Sequence, residues 1–325
     1  MKLLCLSAAD LRAALPMAVA IRVMKQALAA YSSGRAVLPP RTTLPTPELD
    51  ATTLVMPCRL PEYGLGAKLV SVFPRNRDRL RPLVSGLVVL LDPATGEPDA
   101  LVDGSALTAW RTGALTGAAT DLLARDDVRV AAVIGAGAQA RTQIPALDTI
   151  RTLDEIRIYS RTPDQVGYLV EKLQPHVSAR LVAADSAVAA VRDAGVVCTV
   201  TSSTTPVIDG GTLAPGTHVN AIGSFTPAMK ELDEITIRRA RVFVESRTAA
   251  AAEAGELIAA VEAGLTDAHS WTELGRVVTG TAPGRESPQE ITLFKTVGLA
   301  VEDIAAAGEA VARAREQGLG TEVSF

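Results

Sequence analysis

An α/β fold with a doubly wound parallel sheet, plus a second, smaller α+β domain, is predicted by three observations. Strand-like and helical segments alternate from about residue 128 onward, and a glycine pair closes the first of those strands in AAVIGAGAQA at 131–140. The 325 residues also exceed the size at which single hydrophobic cores stop growing.

The elements follow in order. KLLCL reads as a strand, and Ser7 caps a helix with Asp10 three residues on, the pattern of a capping box. Pro16 is expected as the first residue of a second helix, whose apolar positions Met17, Ile21, Met24, Leu28 and Tyr31 recur at helical spacing up to Gly34. Between Arg41 and Asp103 the pattern turns to short β-rich runs, TTLVMP, LGAKLVSVFP, LVSGLVVLLD and ALVD, the last two separated by the turn DPATGEP. This first region is an α+β unit and not a nucleotide fold. Beyond it come VRVAAVIG, a helix near 138–150, IRIYS, a helix entered at Pro163, then ARLVA, VVCTV, THVNAIG and ARVFVES. Ligands of such sheets bind beyond the strand C-termini, so Gly135, Ser160, Thr201 and Gly223 are expected to line one crevice. The run ITLFKTVGLAVEDIAAAGEAVARARE reads as one long helix.

Composition narrows the function classes. A net charge of -4 with no block of one sign argues against nucleic acid and anionic membranes as partners, while leaving room for a small anion held by local Arg or Lys. Cys5, Cys58 and Cys198 are odd in number and far apart, and His176, His218 and His269 are widely spaced, so neither a disulfide framework nor a metal site is expected. Asp10 and Arg12 interrupt the apolar N-terminal run, and no run approaches the roughly 20 residues of a membrane span, so a cytoplasmic chain is expected.

The glycine motif carries the first functional expectation. After a buried-type strand and before a helix, Gly135 permits a tight turn, Gly137 lets backbone approach a pyrophosphate, and Ala140 takes the third, packing position of a Rossmann dinucleotide fingerprint. At the end of the next strand an NAD site usually carries Asp or Glu for the ribose hydroxyls, whereas this chain offers Ser160, Arg161 and Thr162. A guanidinium pairs with a 2′-phosphate that a carboxylate repels, so NADP(H) is favoured, with NAD(H) possible.

Three cations sit in apolar settings in the first region: Arg41 in LPPRTTL, Lys68 in LGAKLVSVFP and Arg111 in ALTAWRTGALTG. Burying Lys68 in a strand is expensive unless an anion compensates, which suggests a pocket for a carboxylate. Elsewhere, His176 and His269 are expected in solvated helix-end or loop positions, and His218 at a strand start facing solvent. Glu231 is assigned a helix-start or structural role, and Arg285 reads either as a loop charge or as a residue closing over the cofactor.

Through PPRTTL, GAKLVSVFP, GLVVLLDPATGEP, ALTAWRTGALTGAAT, IGAGAQA, NAIGSFTP with Glu231-Leu232, and ITLFKTVGLAVEDIAAA, the chain resembles the ornithine cyclodeaminase and mu-crystallin family over nearly its full length. The resemblance implies a homodimer, with residues 1–115 and 302–325 as the substrate-binding and dimerisation domain and 116–301 as the Rossmann domain. It puts Arg41, Lys68 and Arg111 on a substrate carboxylate, Thr112 near cofactor phosphate, Ala138, Gln139, Ser160, Thr201 and Thr296 at the nucleotide, and Val297 beside substrate. Where the cyclodeaminases and related alanine dehydrogenases carry Asp, this chain has Phe225. Cyclising ornithine needs an acid-base group to manage the amine and the departing ammonia, and phenylalanine cannot serve. The expected activity is therefore that of the branch reducing cyclic ketimines, Δ1-pyrroline-2-carboxylate or Δ1-piperideine-2-carboxylate, to L-proline or L-pipecolate. In that reading Phe225 forms an apolar wall and Lys68 assists carboxylate binding or supplies a proton. The alternatives are an ornithine cyclodeaminase or alanine-type amino-acid dehydrogenase, and a non-catalytic binding protein like mu-crystallin.

Overall fold

The computed structural model describes residues 2–79 and 81–324. They form two compact units, Met1–Arg111 with Leu299–Phe325, and Thr112–Gly298. The boundaries expected at 115/116 and 301/302 lie within about a helical turn of these.

The first unit contains β1 (Lys2–Leu6), α1 (Ala8–Ala14), α2 (Met17–Ser32), β2 (Thr42–Thr46), β3 (Ala51–Leu60), β4 (Gly64–Val72), β5 (Val84–Leu91), β6 (Pro98–Asp103) and the first turns of α3 (Gly104–Leu123). From the far end of the chain come α11 (Ala300–Gln317) and β15 (Thr321–Ser324). Its strands run β15-β1-β6-β5-β4-β3-β2, antiparallel except for the β1/β6 pair. The Ser7–Asp10 capping box forms, and Pro16 sits one step earlier than expected, as the cap of α2, because its ψ of 149° is extended. Strand alternation turns Gly66, Lys68 and Val70 inward and leaves Leu69 exposed. Helix α11 packs on β3, β4 and β5. Its Gly308 lets Tyr63 come so close that a Cβ there would lie 2.2 Å from the Tyr63 carbonyl oxygen.

The second unit continues with β7 (Val130–Ile134), α4 (Ala140–Ile150), β8 (Glu155–Tyr159), α5 (Pro163–Leu173), β9 (Arg180–Ala183), α6 (Ala187–Val191), β10 (Val196–Thr199) and β11 (His218–Ala221). It ends with α7 (Glu234–Arg239), β12 (Ala240–Val244), α8 (Arg247–Glu253), α9 (Gly255–Glu262), β13 (Thr272–Glu273), α10 (Leu274–Val278) and β14 (Ile291–Lys295). All of its strands pair in parallel, in the order β13-β12-β14-β11-β10-β7-β8-β9. This is the doubly wound Rossmann-type sheet, and its order reverses between β7 and β10, the switch point beside which such sheets take ligands.

The long C-terminal helix expected from Ile291 is a correction. Ile291–Lys295 is a fully buried strand between β11 and β12, and the helix begins only at Ala300. A short apolar run flanked by parallel strands has no polar alternation to separate it from a buried helix turn. Gly298, at φ 87°, makes the break between the two.

Candidate functional site

The strand ends of the second unit assemble a glycine-lined turn beneath an uncapped helix N-terminus. Gly135 has φ 115°, and a Cβ there would lie 2.8 Å from the Val200 carbonyl oxygen beyond β10, so both conformation and space demand glycine. A Cβ on Gly137 would meet nothing within 4 Å, and Gly137 and Ala138 are exposed. Helix α4 starts at the buried Ala140, and Gln139 at its cap supplies no side-chain hydrogen bond. An uncapped helix N-terminus above an open glycine is what a pyrophosphate requires, so these residues fit a dinucleotide. Beyond β8, Ser160 accepts a bond from the Thr162 amide at 3.3 Å, and Arg161 is exposed. Buried Thr112 lies on α3, where neighbouring Gly113 packs against α4: a Cβ on Gly113 would stand 2.5 Å from the Thr142 carbonyl.

Buried carboxylates tie the next strand ends together. Glu231 accepts the Thr199 hydroxyl (3.0 Å), the Thr201 amide (2.6 Å) and hydroxyl (2.8 Å), and the Gly223 amide (2.7 Å). Burial raises the pKa of Glu231, against the lowering influence of Lys295 and of the Thr201 donors. Glu245 ties the loop beyond β14, accepting the Val297 amide at 2.9 Å, the Gly298 amide at 2.6 Å and the Thr296 hydroxyl. Thr201 and Thr296, expected at the nucleotide, thus donate their hydroxyls to carboxylates of the chain itself. Phe225, just past Gly223 at the end of β11, is 41% exposed.

In the first unit Lys68 and Arg111 come together, and the chain brings its own anions. Lys68 Nζ lies 2.5 Å from Asp303 Oδ2, Arg111 Nε lies 3.0 Å from Asp303 Oδ1, and the Arg111 guanidinium also pairs with Glu302. Lys68 is 2% exposed and both acids are fully buried. Burial pushes the Lys68 ammonium below its ordinary pKa, Asp303 draws it back up, and the Arg111 charge pushes it down again. The compensation that the sequence reading assigned to a substrate carboxylate is therefore supplied by the first turn of α11, whose N-terminal dipole also favours Glu302 and Asp303. Arg41 is half-buried just before β2. Burial and the Asp303 charge push the neighbouring Cys58 thiol to about 12, which leaves it inert as a nucleophile.

Four other residues resolve. His218 does not face solvent: it is fully buried, with Nδ1 2.9 Å from the Thr292 hydroxyl and Nε2 3.2 Å from Asn220 Oδ1. Its placement at the start of a central parallel strand, covered on both faces, explains the difference. Glu231 begins no helix, since α7 starts at Glu234 under an Asp233 cap. Arg285 is a clamp, donating to the carbonyls of Leu123 and Glu290 and to the Thr292 hydroxyl. His269 lies in a short 3-10 turn opened by Asp267. A concavity of about 460 Å³ lies at the opposite edge of this sheet, beside the starts of β12 and β14. Its Arg239 and Arg241 are taken up by main-chain carbonyls and by Glu286 and Glu290, so it adds nothing to the strand-end site.

A family model described as the ornithine cyclodeaminase/mu-crystallin family matches residues 1–318. The chain is 38% identical over 326 residues to a Δ1-pyrroline-2-carboxylate reductase of Bacillus cereus, covering 99% of this chain and 100% of that one. Among solved structures, that of the Thermococcus litoralis Δ1-pyrroline-2-carboxylate reductase in complex with NADH and L-proline is similar at a TM-score of 0.95 and 35% identity, covering 99% of this chain and 100% of that chain. An archaeal alanine dehydrogenase dimer with bound NAD is similar at a TM-score of 0.92 and 31% identity, with 100% of each chain covered. The motifs read from the sequence, the doubly wound sheet and this match agree, and the chain belongs to the ornithine cyclodeaminase/mu-crystallin family.

Proposed function

We propose that the chain reduces a cyclic imine carboxylate, Δ1-pyrroline-2-carboxylate or Δ1-piperideine-2-carboxylate, to L-proline or L-pipecolate. The observation that carries the reading is Phe225, exposed at the β11 end in a segment, Ile222–Pro227, that contains no carboxylate. A reduced nicotinamide coenzyme, whose pyrophosphate the Gly135–Ala140 turn would hold, would supply the hydride. The chain's residues do the rest. Arg41 and Arg111 hold the carboxylate and so orient the imine carbon, and Arg111 is itself fixed by Asp303 and Glu302. Lys68, made more acidic by burial, gives its proton to the ring nitrogen as the carbon gains hydride, so that C=N becomes CH–NH. Val297 and Phe225 present apolar surface to the ring. The relatives named as pyrroline-2-carboxylate reductases support this reading.

Mixing the protein with Δ1-pyrroline-2-carboxylate and reduced nicotinamide is expected to consume the coenzyme absorbance. A folded protein giving no consumption above background rejects the reading. The resemblance to an alanine dehydrogenase favours a second one, reductive amination of pyruvate, and turnover with pyruvate and ammonia but not with the cyclic imine selects it.

Arg161, exposed beyond β8 with no carboxylate between Ser160 and Pro163, supports acceptance of NADPH beside NADH. Arg161→Ala is expected to lower kcat/KM for NADPH about tenfold, the worth of one charge-assisted contact, while NADH changes less than about twofold. Equal effects on both coenzymes reject the assignment. A homodimer is supported by the outer sheet face of the first unit, which exposes Leu44, Leu69 and Leu87, the last two paired across β4 and β5.

A further inference from the structure

Ser224 precedes Phe225 in the second unit, and its polar groups are held by three buried charged side chains. Its amide donates to Glu231 at 3.3 Å, its carbonyl accepts Lys295 Nζ at 2.5 Å, and its hydroxyl accepts Lys295 Nζ at 2.6 Å while donating to Glu256 at 2.5 Å. Lys295 and Glu256 pair at 3.1 Å, both buried, and Lys295 also donates to the Ala221 carbonyl at 3.3 Å. The following turn is held from the same side. A Cβ on Gly255, the residue before Glu256, would lie 2.5 Å from the Pro227 carbonyl and 2.2 Å from that of Met229. Lys295 ends β14 and Glu256 opens α9, so two rigid elements fix a residue that has no conformational preference of its own.

A surface loop needs no buried ammonium, and such a group persists only where its partners are fixed in return. We propose that Lys295 and Glu256 are positioning residues which, through Ser224, hold the Phe225 ring in one orientation and thereby set the preference for flat cyclic imines over open-chain ones. The proposal rests on the imine-reductase reading for its substrate but not for its geometry. A ring held still offers a fixed wall to a planar substrate, whereas a ring that swings admits bulkier, flexible ones. Lys295 and Glu256 are both buried, and their contacts to this loop run through Ser224 and the Ala221 carbonyl.

The test uses the charge-neutral double variant Lys295→Met/Glu256→Gln, which removes both members of the buried pair together while Glu231 keeps its amide and hydroxyl donors. Protein labelled with 4-fluorophenylalanine reports the ring directly, the Phe225 resonance being assigned among the five phenylalanines by its disappearance in Phe225→Leu. The expected result is a Phe225 resonance that narrows and moves toward the free amino acid, with the resonances of core Phe243 and Phe294 unchanged. Alongside it, the ratio of kcat/KM for Δ1-pyrroline-2-carboxylate to that for the imine of pyruvate and methylamine is expected to fall at least tenfold, through KM for the cyclic substrate. An unmoved Phe225 resonance overturns the positioning, and an unmoved ratio with a moved resonance overturns its link to specificity. If the wild-type protein turns over no imine, the imine-reductase reading fails and the specificity claim falls with it, while the resonance still decides the positioning. Should the double variant not fold, Ser224→Ala keeps the ion pair and removes both hydroxyl links. It is expected to show the same changes at roughly a third of the size, and no change there overturns the proposal.

Discussion

Asp303→Ala is expected to destabilise the first unit by about 3–5 kcal/mol, the usual cost of removing one partner from a buried ion pair. One carboxylate serves two cations, Lys68 Nζ at 2.5 Å and Arg111 Nε at 3.0 Å, in a region where neither can reach bulk water. Asp303 is also the group that chiefly opposes the effect of burial on Lys68. Without it the amine is driven to its neutral form, and Arg111 loses one of its carboxylate partners while keeping Glu302. The pair replacement Lys68→Met/Asp303→Asn removes both charges together and is expected to recover most of the stability while abolishing turnover. That separates the folding role of the cluster from its chemical one. The two tryptophans make the measurement local: Trp110 belongs to the first unit and Trp271 to the second. Urea unfolding followed by Trp110 fluorescence in a Trp271→Phe background should show the loss, and a shift below about 1 kcal/mol would mean that water reaches the cluster.

His218 gives the second large effect, in the second unit and on the acid side. Burial, with the Arg285 and Arg151 charges adding to it, lowers its pKa from 6.5 to about 3. The neutral ring lies between the Thr292 hydroxyl at Nδ1 and the Asn220 oxygen at Nε2. A second proton would leave the ring no acceptor nitrogen and place a cation near two guanidinium groups. Because the folded pKa is depressed, the unfolded chain binds the proton first. Stability is therefore complete above about 6.5 and falls as pH drops toward about 3. The linkage amounts to about 2 kcal/mol at pH 5. The variant His218→Gln should show a pH 7.5-to-5 stability loss smaller than the wild type's by about that amount. A wild-type imidazole resonance assigned to His218 by its disappearance in His218→Gln, and titrating with a midpoint near 6.5, would remove the basis for the prediction.

Much of the fold is legible in the sequence because its signals are local. The Ser7–Asp10 box, the helix opened by Pro163 and the strand-to-helix turn at Gly135 each depend on a few adjacent residues, and each forms. Ile291–Lys295 was not legible as a strand, because a buried central strand and a buried helix turn share the same unbroken apolar pattern. The site divides in the same way. Lys68 within an apolar strand announces that an anion must exist, but nothing nearby in the chain identifies it as Asp303. The available hint was two adjacent acids, Glu302 and Asp303, opening a helix otherwise rich in alanine. Glu231 is assigned a structural role without its partners, and Glu245 and Glu256 give no hint, since the groups that hold these carboxylates come from segments distant in sequence.

The antiparallel pairing of β15 with β1 and the place of α11 against β3–β5 bear on the order in which the protein can be made. As the nascent chain leaves the ribosome, residues 112–298 emerge as one uninterrupted stretch with every strand of its sheet, and can fold at once. The earlier stretch cannot close, since Asp303 has not yet been synthesised and Lys68 must stay hydrated until it is. The half made first is thus finished last, and during that interval its unsealed sheet depends on chaperones or on its own solubility.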